Sequence, residues 1–202
     1  YSIPATIFVC TATLSFITPI LILNRDSKFN YLSYIFSSGL SSVQYFLAII
    51  IFSIICSYIE FILALIISVQ LSDSGSNLGV LISWQQTLYF FIAILPSILF
   101  FSTFGLVCSN FLRKVENILI STVFLFLFIA FGSCSFIPID YYSHQYGDFV
   151  YNYNIIFHLY NMFILILKNS TMGSGIFIIS ILSSFLLYFL NLVLYKQTVR
   201  NY

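Results

Sequence analysis

The chain has 202 residues, of which 60% are hydrophobic, 20% aromatic and only 6% charged, with seven Lys or Arg against six Asp or Glu. A soluble domain carries charge on about a quarter of its residues. This composition therefore excludes a soluble enzyme, a nucleic-acid binder working through a basic face and a disordered chain, and leaves an integral membrane protein.

Roughly 20 mainly apolar residues are needed to cross about 30 Å of hydrocarbon as a helix. Five runs qualify: Ile3–Leu23, Val43–Val69, Leu81–Phe111 (trimmed at one or both ends), Ile118–Ile137 and Ile176–Tyr195. They are continuous rather than alternating, so their backbone groups are satisfied as helices and not as barrel strands. The chain opens almost inside the first run, with no initiator Met and no signal-peptide pattern, and is expected to be a piece of a longer polypeptide lacking at least one upstream helix.

Beyond the first run, Asn24–Ser42 is a connector with helical signals. Asp26 is a predicted N-cap and Gly39 a predicted stop. Between them Phe29, Leu32, Phe36 and Leu40 form one face, with Lys28, Asn30, Ser33 and Ser37 largely off it. This predicts an amphipathic helix over 26–39 lying in the membrane interface. The second run holds Glu60, 17 residues from Val43 and 9 from Val69. A charge at the bilayer centre costs on the order of 2.5–3.5 kcal/mol, so Glu60 is either a functional intramembrane residue or a tolerated, snorkelling carboxyl nearer the outer surface. In the third run Pro96 is either a hinge or a packing distortion, and Ser102, Gly105 and Ser109 form a stripe of small residues suited to close helix contact.

After the fourth run, Pro138–Gly175 is rich in tyrosine (Tyr141, Tyr142, Tyr146, Tyr151, Tyr153), as at the headgroup level of a bilayer. Asp140, His144 and Asp148 have i, i+4, i+8 spacing that a metal could use, but Gly147 and Pro138 argue against a continuous helix, and a solvated loop is expected. Asn154–Leu167 is apolar for only about 14 residues, a length that suits a re-entrant segment better than a crossing. Charge placement agrees. If this segment re-enters, Arg25, Lys28, Arg113, Lys114, Lys196 and Arg200 share one face and only Lys168 lies opposite; if it crosses, the split falls to five against two. The positive-inside rule then puts the C-terminus in the cytoplasm, and the sequon Asn169-Ser170-Thr171 outside.

Four cysteines (Cys10, Cys56, Cys108, Cys134) fall in or at the ends of the runs without a CxxC pair, which indicates neither a metal site nor a disulfide framework. None of the four lysines follows a glycine, so a phosphate-binding Gly-Lys-Ser/Thr loop is absent and bond chemistry by this chain is not expected.

Several short stretches together resemble the membrane domain of type-2 ABC exporters, most closely subfamily A, the lipid exporters. Arg25-Asp26-Ser27-Lys28 is similar to the charged start of their coupling segment. Ser38-Gly39-Leu40 and Gln44-Tyr45-Phe46 resemble their Ser-Gly-Val and Tyr-Trp pair. Leu95-Pro96 resembles their mid-span proline step, and Ile156–Phe163 the apolar segment before their last helix. Phe46 stands where that family usually has Trp, Asn161 where it has Pro, and Asp26 where it has Glu. Subfamily G, sterol and drug exporters, shares the span layout. The resemblance implies a single all-α transmembrane domain over 1–202, with five spans, a re-entrant segment over 154–167 and a coupling helix over 26–39. That helix would meet an ABC ATP-binding domain through Arg25, Asp26, Lys28, Phe29, Leu32 and Phe36. ATP and magnesium would sit on that partner, a second membrane half would complete the transporter, and a lipid or amphiphile would be its substrate. The alternatives are a fragment of a multi-span, chemoreceptor-like receptor, or a membrane-embedded enzyme; the latter lacks His and carboxylate clusters at its cytoplasmic face.

Overall fold

Uninterrupted apolar sequence becomes uninterrupted helix. A computed structural model of the chain describes residues 2–29, 31–72, 84–112, 114–167 and 174–200, and among these residues all regular structure is helical. The long helices are α1 (Ser2–Lys28), α3 (Ser42–Ser72), α4 (Trp84–Ser109), α5 (Val115–Gly132) and α8 (Ser174–Arg200). Each holds a stretch long and apolar enough to cross a bilayer, as the five runs predict. Three helices are shorter: α2 (Tyr31–Ser37), α6 (His144–Tyr153) and α7 (Ile155–Leu167). At 1.5 Å per residue α7 reaches about 20 Å, short of the hydrocarbon thickness.

The centre of the bundle is the pair α1 and α4. In their spanning stretches 56% and 61% of residues are buried, against 22%, 28% and 17% in α3, α5 and α8, which flank them. Phe8, Phe16 and Ile20 of α1 meet Ile94, Ile98 and Phe101 of α4 in one core. Gly105 permits the approach: a Cβ there would collide with the carbonyl oxygen of Phe16. The stripe of small residues divides its work. Gly105 faces α1, Ser102 bonds to α3 through Ser53 (2.9 Å), and Ser109 folds back onto the carbonyl of Leu106. The outer faces carry exposed Ile55, Ile59, Phe185, Leu186 and Phe189, an apolar surface that hydrocarbon covers and water would not tolerate.

Side-chain contacts fix which ends lie together. The Tyr188 hydroxyl of α8 donates to the carbonyl of Val43 at the start of α3 (2.8 Å), and the ring of Tyr195 packs edge-on against Phe46 (4.9 Å). The last turns of α8 therefore sit beside α2. At the other end of the bundle, Asn154 donates to the carbonyl of Gly132, the last residue of α5 (2.6 Å).

The structure corrects two boundaries. α5 stops at Gly132 rather than at Ile137: Cys134 adopts φ 55, and the Ser135 hydroxyl takes the carbonyl of Ala130 (3.0 Å), so a side chain satisfies the last turn. The stretch around Gly147 is helical after all. Its N–H donates to the Ser143 carbonyl (2.9 Å), and the cost of a helical glycine, about 1 kcal/mol, is offset by buried Val150 and the Tyr142–Tyr146 ring contact. Asn30, Asp73, Leu81, Arg113, Lys168 and the sequon Asn169-Ser170-Thr171 lie outside the described residues.

Candidate functional site

α1 runs on through Arg25, Asp26 and Lys28, because nothing in that stretch breaks a helix and two basic residues in its last turn suit the helix dipole. Asp26 is consequently not the N-cap of the next helix. Its carboxylate is buried: Oδ2 accepts from the Tyr45 hydroxyl of α3 (2.8 Å), and Oδ1 accepts from Nε of Arg25 (2.9 Å). An acid at a helix C-terminus opposes the dipole, and these two donors offset that. Charge-assisted bonds of this kind are stronger than neutral ones, so Asp26 fixes the end of α1 to the start of α3.

The helix predicted over 26–39 is therefore shorter, α2 alone, and its packed face keeps Leu32 and Phe36 of the predicted one. Leu32, Ile35 and Phe36 pack against a cluster containing Leu23, Tyr45, Phe46 and Leu106. Phe29 and Leu40 stay exposed. Both lie outside α2, one on each side, so the predicted face holds within the helix at Leu32 and Phe36 and fails only at its ends. Gly39, at φ 89, supplies the left-handed turn that ends α2. Ser41 and Gln44 then open α3 with a reciprocal cap: the Ser41 N–H donates to Gln44 Oε1 (3.1 Å), and the Gln44 N–H donates to Ser41 Oγ (3.3 Å). This Ser-x-x-Gln capping box was readable in the sequence. Outward from this platform point Arg25, Lys28, Phe29, Tyr31 and Tyr34, all exposed, a mixed basic and aromatic face. Below it, Phe36 meets Tyr45 edge-on and Tyr195 at a tilt, with both ring centroids at 5.8 Å, so α2 rests on α8 as well as on α3.

A polar ladder runs through the middle of the bundle. Thr11 Oγ1 donates to Glu60 Oε2 (2.7 Å), Ser15 and Ser57 share a bond (2.8 Å), and Ser53 reaches both the Ser15 carbonyl (3.1 Å) and Ser102 (2.9 Å). Ser53, Ser57 and Glu60 follow helical spacing along α3, so one polar edge of that helix meets α1 and α4. Glu60 is half-buried and is part of this ladder. Pro96 is buried inside α4, which stays helical through it. Nearer the start of α4, Tyr58 donates to the Phe91 carbonyl (2.7 Å).

Between α4 and α5 lies a cavity of about 940 Å³, with Phe16 of α1 at its back and α6 and the start of α7 at one end. Phenylalanine is the commonest residue of its walls, with Phe100, Phe104, Phe124 and Phe128 among them; Tyr146, Tyr153 and Asn154 gather at the α6 end. Asn154 also caps α7, its Oδ1 accepting from the N–H groups of Ile156 (3.0 Å) and Phe157 (3.4 Å).

Among the described residues no group of three His, Cys, Asp or Glu could hold a metal ion. Asp140 lies in a 3-10 turn, and His144 and Asp148 lie in α6. The described cysteines are free thiols, and burial pushes the Cys134 thiol above its ordinary range, which makes it a poor nucleophile. His158 packs against the rings of Tyr151 and Phe157.

The family model described as ABC-2 type transporter matches residues 1–168. No curated protein and no solved structure matches the chain.

Proposed function

Because the chain belongs to the ABC-2 type transporter family, and is therefore an integral, multi-pass permease part that works with an ABC ATP-binding domain, we propose that it serves an exporter of lipid or another amphiphile. The receptor alternative gives way to the family match. On this reading the nearest subfamily is A, on the residues at Arg25–Lys28, Ser38–Leu40 and Leu95-Pro96, and a second membrane half completes the transporter. ATP and magnesium bind at the partner domain, and the C-terminus lies on the cytoplasmic side with α2. α7 is a re-entrant segment: it starts beside Gly132, and α8 begins from that same end to finish against Phe36 and Phe46.

The observation that carries the reading is the platform at the end of α1. A motor can act on a membrane domain only through an element that is exposed on one side and rigidly joined to the spans on the other. α2 has both properties. Arg25, Lys28, Phe29, Tyr31 and Tyr34 are exposed for the partner, while Leu32 and Phe36 rest on α3 and α8 and Asp26 pins α1 to α3. Glu60 then acts in the membrane as an interhelical tie that a passing polar group can compete for, and Pro96 is the point in α4 where the helix can bend.

The test is transport by the full transporter, reconstituted with its ATP-binding partner in liposomes containing a fluorescent phospholipid. Phe29→Ala with Tyr34→Ala removes exposed rings only, so the membrane domain keeps its thermal stability while ATP-dependent phospholipid movement falls severalfold. Unchanged transport in that double variant overturns the coupling role of α2. Absence of any ATP-dependent phospholipid movement by the wild type overturns the lipid reading.

A further inference from the structure

The cavity between α4 and α5 has the size and polarity of a site for one amphiphile. Its volume of about 940 Å³ lies near the top of the 300–1,000 Å³ range of ligand pockets. Its lining follows α5 from Ser121 past Phe124 and Phe128 to Gly132, with Phe104 opposite on α4.

The polar lining is not scattered. Ser121 aside, it is concentrated at the α6 end, in Tyr146, Tyr153 and Asn154. The Asn154 amide is committed to Gly132 and to the α7 cap, whereas Tyr146 and Tyr153 are exposed and their hydroxyls take part in none of the hydrogen bonds of the described residues. An apolar slot with two free hydroxyls at one mouth matches a hydrocarbon chain ending in an ester or phosphate. Away from its end, where Asn154 and Tyr142 donate to the Gly132 and Phe131 carbonyls, the wall is not bonded across the groove: no described side chain of α5 hydrogen-bonds to α1 or α4, and the Thr122 hydroxyl is spent on the Ile118 carbonyl of its own helix.

We propose that this groove holds the acyl chain of one bilayer phospholipid, with the lipid's ester level at Tyr146 and Tyr153. The inference deepens the lipid reading above, which it takes as its premise for the groove lying within a bilayer. Photolabelling of the full transporter without nucleotide tests it, so that failure here leaves the transport result standing and failure of transport leaves the labelling standing. The probe is phosphatidylcholine carrying a diazirine on one acyl chain, in phosphatidylcholine nanodiscs. Adducts per residue at Phe104, Phe124 and Phe128 are expected to exceed severalfold those at Phe185 and Phe189, which are exposed on α8. Ser121→Trp, which fills the groove, abolishes the excess and leaves the α8 labelling intact, the latter showing that the variant is folded. Tyr146→Phe with Tyr153→Phe weakens the excess without removing it. Groove labelling no denser than that of α8, or an excess that survives Ser121→Trp, overturns the proposal. So does a disulfide between two copies bearing Ser121→Cys, with the native cysteines replaced by serine, because a second chain would then cover the groove.

Discussion

α3 and α5 both flank the central helix α1, and they are held to it in opposite ways. α3 is tied to α1 by side-chain hydrogen bonds from end to end: Tyr45 to Asp26, Ser53 to the Ser15 carbonyl, Ser57 to Ser15, and Glu60 to Thr11. α5 lies on α1 and α7 through Ile118, Leu125 and Ile129, and its described side chains make no hydrogen bond to α1 or α4. In a bilayer the difference matters more than it would in water. Lipid tails are as apolar as leucine, so burying apolar surface between spans gains little, and association rests on tight packing and interhelical bonds. α1, α3 and α4 have both and behave as one body. α5 has a cavity on one side and apolar contact on the other, and side chains outside it hydrogen-bond to it only at its end, where Asn154 and Tyr142 donate to the carbonyls of Gly132 and Phe131; it is the span expected to shift.

The strongest test of this contrast is Asp26→Ala. It leaves the Tyr45 hydroxyl buried without an acceptor and frees the end of α1, at a cost of about 2–3 kcal/mol. Thermal unfolding of the detergent-solubilised transporter should show a marked fall in Tm, and Asp26→Asn, which retains an acceptor for Tyr45, should recover part of it. An unchanged Tm in Asp26→Ala would mean that the body is held by packing alone. Next comes Gly105→Ala. The added methyl meets the Phe16 backbone, which cannot yield as a flexible side chain would, and overpacking of this kind costs about 1–3 kcal/mol. Lower Tm is expected together with greater accessibility of Cys108 to a maleimide, since α1 and α4 must separate. A stable, unreactive variant would show that the α1–α4 contact is looser than Gly105 implies.

The same contrast separates what the sequence could disclose from what it could not. The spans were legible because a run of apolar residues is a local property. Gly39 was legible as a stop, because a positive φ asks for glycine wherever the chain needs it. Asp26 was misread for the complementary reason. Its partner Tyr45 is 19 residues away, and local capping rules cannot weigh a carboxylate against a distant hydroxyl. The packed face of α2 was legible at Leu32 and Phe36, whereas Phe29 and Leu40 fall outside the helix, because its length is set by how far α1 continues. Glu60 stands out in the sequence as a lone carboxyl in an apolar run, but Thr11, its partner, is 49 residues away. α6 was lost to Gly147, whose helix penalty is smaller than the contacts its neighbours make.

Ser53→Ala probes the ladder at its most connected rung, where one hydroxyl serves both the Ser15 carbonyl and Ser102. Interhelical bonds in membranes contribute about 0.6 kcal/mol on average and rarely more than 1.7. A loss of about 1 kcal/mol is therefore expected, measured by resistance to denaturation in a mixed-micelle titration. Pairing it with Ser57→Ala separates a ladder from independent bonds: additive losses mean independent bonds, and a combined loss smaller than the sum means the two hydroxyls stabilise one another through Ser15.

The smallest effect belongs to α5, and it is the one that gives the contrast its meaning. Phe124 is 70% exposed and lines the cavity wall, so Phe124→Ala exchanges contact with hydrocarbon for contact with hydrocarbon. The change in stability should stay within about 0.5 kcal/mol, the range of substitutions away from packed or bonded features. This holds even though a phenylalanine truncated in a closed core costs about 3–5 kcal/mol. Phe101 of α4, fully buried beside α1, is the matched control. If Phe124→Ala destabilises the transporter as much as Phe101→Ala does in the same titration, α5 is packed as firmly as the central pair and cannot be the movable span. If the two differ by several kcal/mol, the wall of the cavity is mechanically separate from the body that carries α2, and a conformational change can open one without unfolding the other.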